Sequence, residues 1–175
     1  MAPSDVQALR ASLTVCTSCP LALQETRCSL MIGQVPKNCD AVLFLEKLGE
    51  IDVLHTLRFF YMPIDKSRKR HFGYVFLEVS EPCVIVTLLR CLPKLGELLG
   101  TLRRKRQLHL HFARIQGWKN FMRQYSDSDF IFEPNANVRP QIFLPHRMSE
   151  TGANFQDLLP ADLSKTYFDK ELRDQ

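Results

Sequence analysis

Residues 72–79 read FGYVFLEV, and this octet is apolar on both faces of a strand. Successive side chains of a strand point to opposite sides. If Val75 and Leu77 face a core, Tyr74 and Phe76 stand on the other side. A sheet built around the octet therefore needs a core beneath it and a second partner above it. That partner is either another layer of protein or something flat that lies on the rings.

The segments around the octet fix its setting. Residues 28–35 (CSLMIGQV) form a short apolar strand stopped by Pro36, Lys37 and Asn38. Asp40 is placed to cap a helix whose stripe is Leu43, Phe44 and Leu48, with Gly49 at its end. Residues 56–62 (TLRFFYM) read as an aromatic-rich strand that ends at Pro63, and 64–71 (IDKSRKRH) as a polar, basic connection to the octet. Ser80, Glu81 and Pro82 open a second helix with Val84, Ile85, Leu88 and Leu92 on one face. Pro93 is expected to break or end it, with a short helical piece to follow. Residues 108–114 (LHLHFAR) alternate, and WKNFMRQY (118–125) is a third helix with Trp118, Phe121, Met122 and Tyr125 along one face. From about residue 126 the chain is polar and punctuated by proline.

The order is β-α-β-β-α-β followed by a helix. It predicts an α+β, ferredoxin-like fold: a four-stranded antiparallel sheet with two helices on one face, plus a C-terminal helical extension. The expected divisions are a flank at 1–27, the main domain at 28–117, the helical extension at 118–147 and an acidic tail at 148–175. The third helix is too apolar on one side to stand free, so it is expected to dock on an edge or on the open face of the sheet. The alternative is a free helix that offers Trp118 to a ligand or a partner.

An RNA-recognition motif has this order, and its third strand carries K/R-G-F/Y-G/A-F-V-x-F/Y. Here Gly73, Tyr74 and Phe76 match, Phe72 replaces the leading basic residue, and Val79 replaces the last ring. Arg70, two residues upstream, is a candidate for the phosphate contact. On the first strand Met31 points outward, where it can cover a base. Tyr61 joins the platform if Phe60 and Met62 face the helices; the register of that strand is ambiguous in the sequence. His109 and His111 share a face of the last strand, and Arg114 follows it. The two histidines could hint at a metal site, but no third ligand is evident, and hydrogen bonding to bases or plain solvation accounts for them equally well.

Over residues 29–117, LMIGQVPKN, FFYMPID, FGYVFLEV and FARIQG follow one another in order. Together they resemble the C-terminal RNA-recognition motif of Mei2-like proteins. That family shows a methionine-containing first strand ending in an N-I-P-N-K-like turn, then Y-L-P-I-D, V-G-Y-A-F-I-N-F and Y-A-R-I-Q-G segments. Pro63-Ile64-Asp65 and Ala113-Arg114-Ile115-Gln116-Gly117 carry the likeness most specifically. The resemblance implies binding of single-stranded RNA and a role in control at the RNA level. The rival reading is a protein-interaction module that keeps the fold and takes a peptide or protein partner.

Charge agrees with a polyanion partner. The chain carries a net +4, but residues 149–175 hold six acids against three bases, so residues 1–148 carry +7. Lys66, Arg68, Lys69 and Arg70 form one basic cluster and are expected to follow the RNA backbone. Arg103, Arg104, Lys105 and Arg106 form a second, expected to contribute less because it precedes an edge strand. Cys16 and Cys19 have the spacing of half a zinc site, but no matching pair follows. No metal, cofactor or small-molecule substrate is expected. The sequence shows no signal peptide and no membrane span, which predicts an intracellular protein, of nucleus, cytoplasm or both, with reduced thiols. No catalytic motif is present, and no enzyme activity is expected.

Overall fold

The computed structural model describes residues 25–65, 67, 69–101, 107–135 and 137–143. Strand β1 (Ser29–Gly33) is followed by helix α1 (Ala41–Glu50), β2 (Leu57–Tyr61), a small hairpin of β3 (Ile64–Asp65) and β4 (Arg70–His71), β5 (Tyr74–Val79), α2 (Pro82–Leu98), β6 (His109–Phe112), α3 (Trp118–Gln124) and β7 (Gln141–Ile142). The main sheet is ordered β6-β1-β5-β2-β7, with every neighbouring pair antiparallel. This is the expected topology with one addition. The sheet has five strands rather than four, because β7 pairs with the outer edge of β2. The hairpin β3–β4 is a second departure, formed within a stretch that reads as a plain connection.

The helices form where the sequence predicts. The Asp40 carboxylate accepts the Leu43 amide at 2.8 Å and so caps α1. Pro82 lies in the first turn of α2, where a missing amide hydrogen costs nothing. Pro93, however, does not end α2, which runs on to Leu98. Proline in a helix frees the carbonyl four residues back, here that of Leu89. Both Leu89 and Pro93 lie on the exposed side of α2, where water can serve that carbonyl. Leu88 and Leu95, buried on the other side, hold the two halves to one core.

That core lies between the sheet and α1/α2. Leu30 and Ile32 from β1, Phe60 from β2, and Val75, Leu77 and Val79 from β5 meet Phe44, Leu45, Leu48, Val84, Ile85 and Leu88 from the helices. A bulge in β2 between Leu57 and Phe59 resolves the ambiguous register. Leu57, Phe60 and the following Met62 face the helices, whereas Phe59 and Tyr61 face the opposite side of the sheet.

That opposite side is not fully open. Phe59, Tyr61 and Ile142 form a second buried cluster with Phe121 and Met122 of α3 and with Ile131 beyond it. The third helix therefore docks on the open face, over β2 and β7. At roughly 1.5–3 kcal/mol for each large apolar side chain buried, six such residues make this layer part of the fold.

Candidate nucleic-acid interface

The register lays the open face out in three rows. His109, Gly33 and Tyr74 make one; His111, Met31, Phe76 and Tyr61 the next; Ser29, Glu78, Phe59 and Ile142 the third. Among the described residues, the extension covers the β2 side and leaves the β6–β1–β5 side free. The platform is thus a half-sheet, bordered on one side by α3.

Tyr74 and Phe76 are half-buried, with ring centroids 5.5 Å apart and planes 73° apart. Phe76 leans on Phe121 at 5.9 Å and so marks the border of the free area, while Tyr74 stands within it. Met31 is half-buried beside Phe76 and opposite His111. Gly33 places no side chain between His109 and Tyr74, and among the described residues nothing lies within 4 Å of where its Cβ would stand. Two strand spacings separate those neighbours, about 10 Å, which is ample for a base on edge or face. His109 and His111 are exposed, with ring centroids 6.4 Å apart. Among the described residues no three His, Cys, Asp or Glu side chains gather as a metal site.

Tyr61 needs a correction. It faces the expected side but is 6% exposed. Its ring stacks on Phe130 (centroids 5.1 Å, planes 12° apart) and meets Phe121 edge-on at 5.7 Å. Burial pushes its phenol well above the usual range, with smaller contributions from Tyr74 and Tyr125. The stacking partner the sequence assigns to a base is supplied by the chain itself.

Arg114, just past β6, is exposed, as are Lys69 and Arg70 of the hairpin. Lys66, Arg68, the cluster Arg103–Arg106, and the pair Cys16 and Cys19 lie outside the described residues. Cys28, Cys39 and Cys91 are free thiols. Burial, with a smaller contribution from Asp40, pushes Cys39 up to about 12, so it behaves as an inert core group.

The Gln116-Gly117 pair has a structural task. The Gln116 side chain accepts the Ser29 amide at 3.0 Å and donates to the carbonyls of Ser29 (2.9 Å) and Ala113 (2.6 Å). It thus acts like one more residue of strand pairing beside β1. The Gly117 amide donates to Ser29 Oγ (2.9 Å), and that hydroxyl donates to Glu78 Oε2 (3.0 Å). Gly117 has φ +84°, a conformation that favours glycine, and it turns the chain from β6 into α3. Burial raises Glu78 above the usual carboxylate range; hydrogen bonds from Ser29 and the Trp118 amide, and the charge of Arg58, oppose this.

Phe72 is a feature the sequence reading passes over, treating it only as a lost basic residue. It is 59% exposed, and its ring lies 6.1 Å from that of Tyr74 with planes 20° apart. The alternation of Phe72, Tyr74 and Phe76 in the octet already carries the signal.

The family model described as RNA recognition motif 2 matches residues 27–126, a span that takes in α3. The rice (Oryza sativa subsp. japonica) protein MEI2-like 5 is 31% identical over 125 residues, covering 71% of this chain and 15% of that protein. Meiosis protein mei2 of Schizosaccharomyces pombe is 27% identical over 124 residues, covering 70% and 16%. The chain therefore spans about a sixth of the length of these relatives. Among solved structures, that of the Rna15 RRM with bound RNA (GU) is similar with a TM-score of 0.41 and 17% identity, covering 57% of this chain and 96% of that one.

Proposed function

The chain belongs to the RNA recognition motif 2 family and carries a motif of Mei2-like type; from that premise we propose that it binds single-stranded RNA without catalysis, in post-transcriptional control. The observation that carries this reading is the pair Tyr74 and Phe76, half-exposed on the central strand with Met31 beside them and α3 stopping at their border. Bases stack on aromatic faces with little regard to sequence. His109 and His111 offer hydrogen-bonding edges along the free side of the platform, and Arg114, Lys69 and Arg70 offer charge to phosphates. The matched family model is described as an RNA recognition motif, which supports the same reading.

A titration of mixed-sequence single-stranded RNA tests the reading. Each stacked base is worth about 1–3 kcal/mol on truncation to alanine, so the double variant Tyr74→Ala/Phe76→Ala should bind at least about tenfold more weakly while remaining folded. A folded double variant with wild-type affinity would remove RNA from the platform. The protein-interaction reading would then take its place, favoured by the protein layer that already covers the β2 side.

A further inference from the structure

We propose that Phe72 is a third stacking position, which lengthens the platform by one base at the hairpin end of β5. The inference rests on the RNA-binding reading and extends it to a position where the general recognition-motif signature places a cation. Three observations support it. Phe72, Tyr74 and Phe76 form a continuous ladder of rings, with centroid separations of 6.1 and 5.5 Å. Phe72 is the most exposed large hydrophobic side chain among the described residues, at 59%. Its plane lies 20° from that of Tyr74, whereas Tyr74 and Phe76 are crossed at 73°. Near-parallel neighbouring rings offer successive bases a stack in a common orientation.

The backbone that carries Phe72 is held in place before any ligand arrives. The Phe72 amide donates to the Pro63 carbonyl at 3.1 Å, and the Val35 amide donates to the Gly73 carbonyl at 2.9 Å. The Gly73 amide donates to His71 Nδ1, so that nitrogen carries no proton; Nε2 does, and it donates to the Pro36 carbonyl, both at 2.9 Å. Gly73 itself has φ +91°, a conformation that favours glycine, between the hairpin and β5. The backbone beneath this exposed ring is thus fixed by four hydrogen bonds, so the main chain needs no further ordering on binding.

The chemistry differs from that of the cation it replaces. A lysine or arginine here would pair with phosphate and add to the salt dependence of binding. A phenyl ring adds stacking, which is insensitive to salt, and it acts only on an RNA long enough to reach it.

The test is a length series of mixed-sequence single-stranded RNA oligonucleotides, titrated at several salt concentrations against wild type, Phe72→Ala, Phe72→Leu, Phe72→Lys and Tyr74→Ala. Phe72→Ala should lose about 5- to 100-fold in affinity on oligonucleotides long enough to span the platform, with an unchanged salt slope. It should match wild type on oligonucleotides one nucleotide short of reaching the hairpin end. Phe72→Leu keeps apolar bulk but no π face and should lose affinity in the same length-dependent way, which separates stacking from a change in folding. Phe72→Lys should steepen the salt slope. Wild-type affinity of Phe72→Ala at every length, beside weakened binding by Tyr74→Ala, would overturn the inference and leave the RNA reading standing. Absence of RNA binding by the wild-type protein would overturn both.

Discussion

Individual residues on the open face divide into those held by the fold and those left to a ligand, and Glu78 is held. It sits at the end of a relay that runs from the Gly117 amide through the Ser29 hydroxyl to its carboxylate. Burial is the largest influence on it and raises its pKa from the ordinary 4.5. A carboxyl whose folded-state pKa is raised favours the fold when protonated; that contribution is complete below 4.5 and is lost as pH rises through the folded value. Glu78→Gln keeps an acceptor for Ser29 without a charge to desolvate. It should therefore melt at a higher temperature than wild type at neutral pH, and the difference should shrink as pH falls through the raised folded value and be lost below 4.5. Thermal melts across that range check this; a variant less stable at neutral pH would mean that the bonds from Ser29 and Trp118, with Arg58, outweigh burial. Such a relay was not legible in the sequence, because Ser29 and Gly117 are 88 positions apart and only the fold brings them together. Tyr74, Phe76 and Met31 were legible, since alternation along a strand assigns a face without any knowledge of the partner. Tyr61 was half legible: its face follows from Phe60 and Met62, but its burial depends on where a helix nearly sixty residues later comes to rest.

At the scale of elements, α3 decides how wide the platform is. Its Phe121 ring touches Phe59 at 5.1 Å, Tyr61 at 5.7 Å, Phe76 at 5.9 Å and Tyr125 at 4.8 Å. Truncating a buried phenylalanine costs on the order of 3–5 kcal/mol, an amount limited here by the energy with which α3 is docked. Phe121→Ala should lower stability toward denaturant by that order and increase the solvent exposure of Tyr61, seen in near-ultraviolet circular dichroism. A variant with wild-type stability would mean that α3 contributes nothing to the layer over β2. The helix was readable because four large apolar side chains recur on one face over two turns, and such a face needs cover. Strand β7 was not readable. Its two residues, Gln141 and Ile142, carry no alternation, and it is a strand because the edge of β2 offers it partners. The hairpin β3–β4 escaped for the same reason, being two residues on each side of a charged turn. The continuation of α2 past Pro93 depended on which side of the helix faced water, which tertiary packing decides.

For the whole molecule, the relevant quantity is where charge collects relative to the rings. Strand register puts the start of β6 beside Gly33 and, one strand further, beside Tyr74, the start of β5. The first basic cluster ends at Arg70, four residues before Tyr74; the second ends at Arg106, three residues before His109. The strand starts that follow the two clusters, Tyr74 and His109, therefore lie at the same end of the sheet, the end at which Phe72 also stands. This changes the expectation for Arg103–Arg106, which the sequence alone placed on the less important side because β6 is an edge strand. The first residue of that edge strand borders the platform. Each cation paired with a phosphate of single-stranded nucleic acid contributes about −0.7 to the slope of log K against log salt. Neutralising Lys66, Arg68, Lys69 and Arg70 together should flatten the slope, and neutralising Arg103–Arg106 should flatten it by a comparable amount, not a smaller one. Neither change should alter the stacking increment measured with Tyr74→Ala, because charge and stacking act on different parts of the nucleotide. Titrations of the two charge variants over a range of salt decide the matter. If only the first variant flattens the slope, the RNA leaves the platform away from β6. If neither does, the basic clusters serve another partner and the affinity of this face rests on its rings.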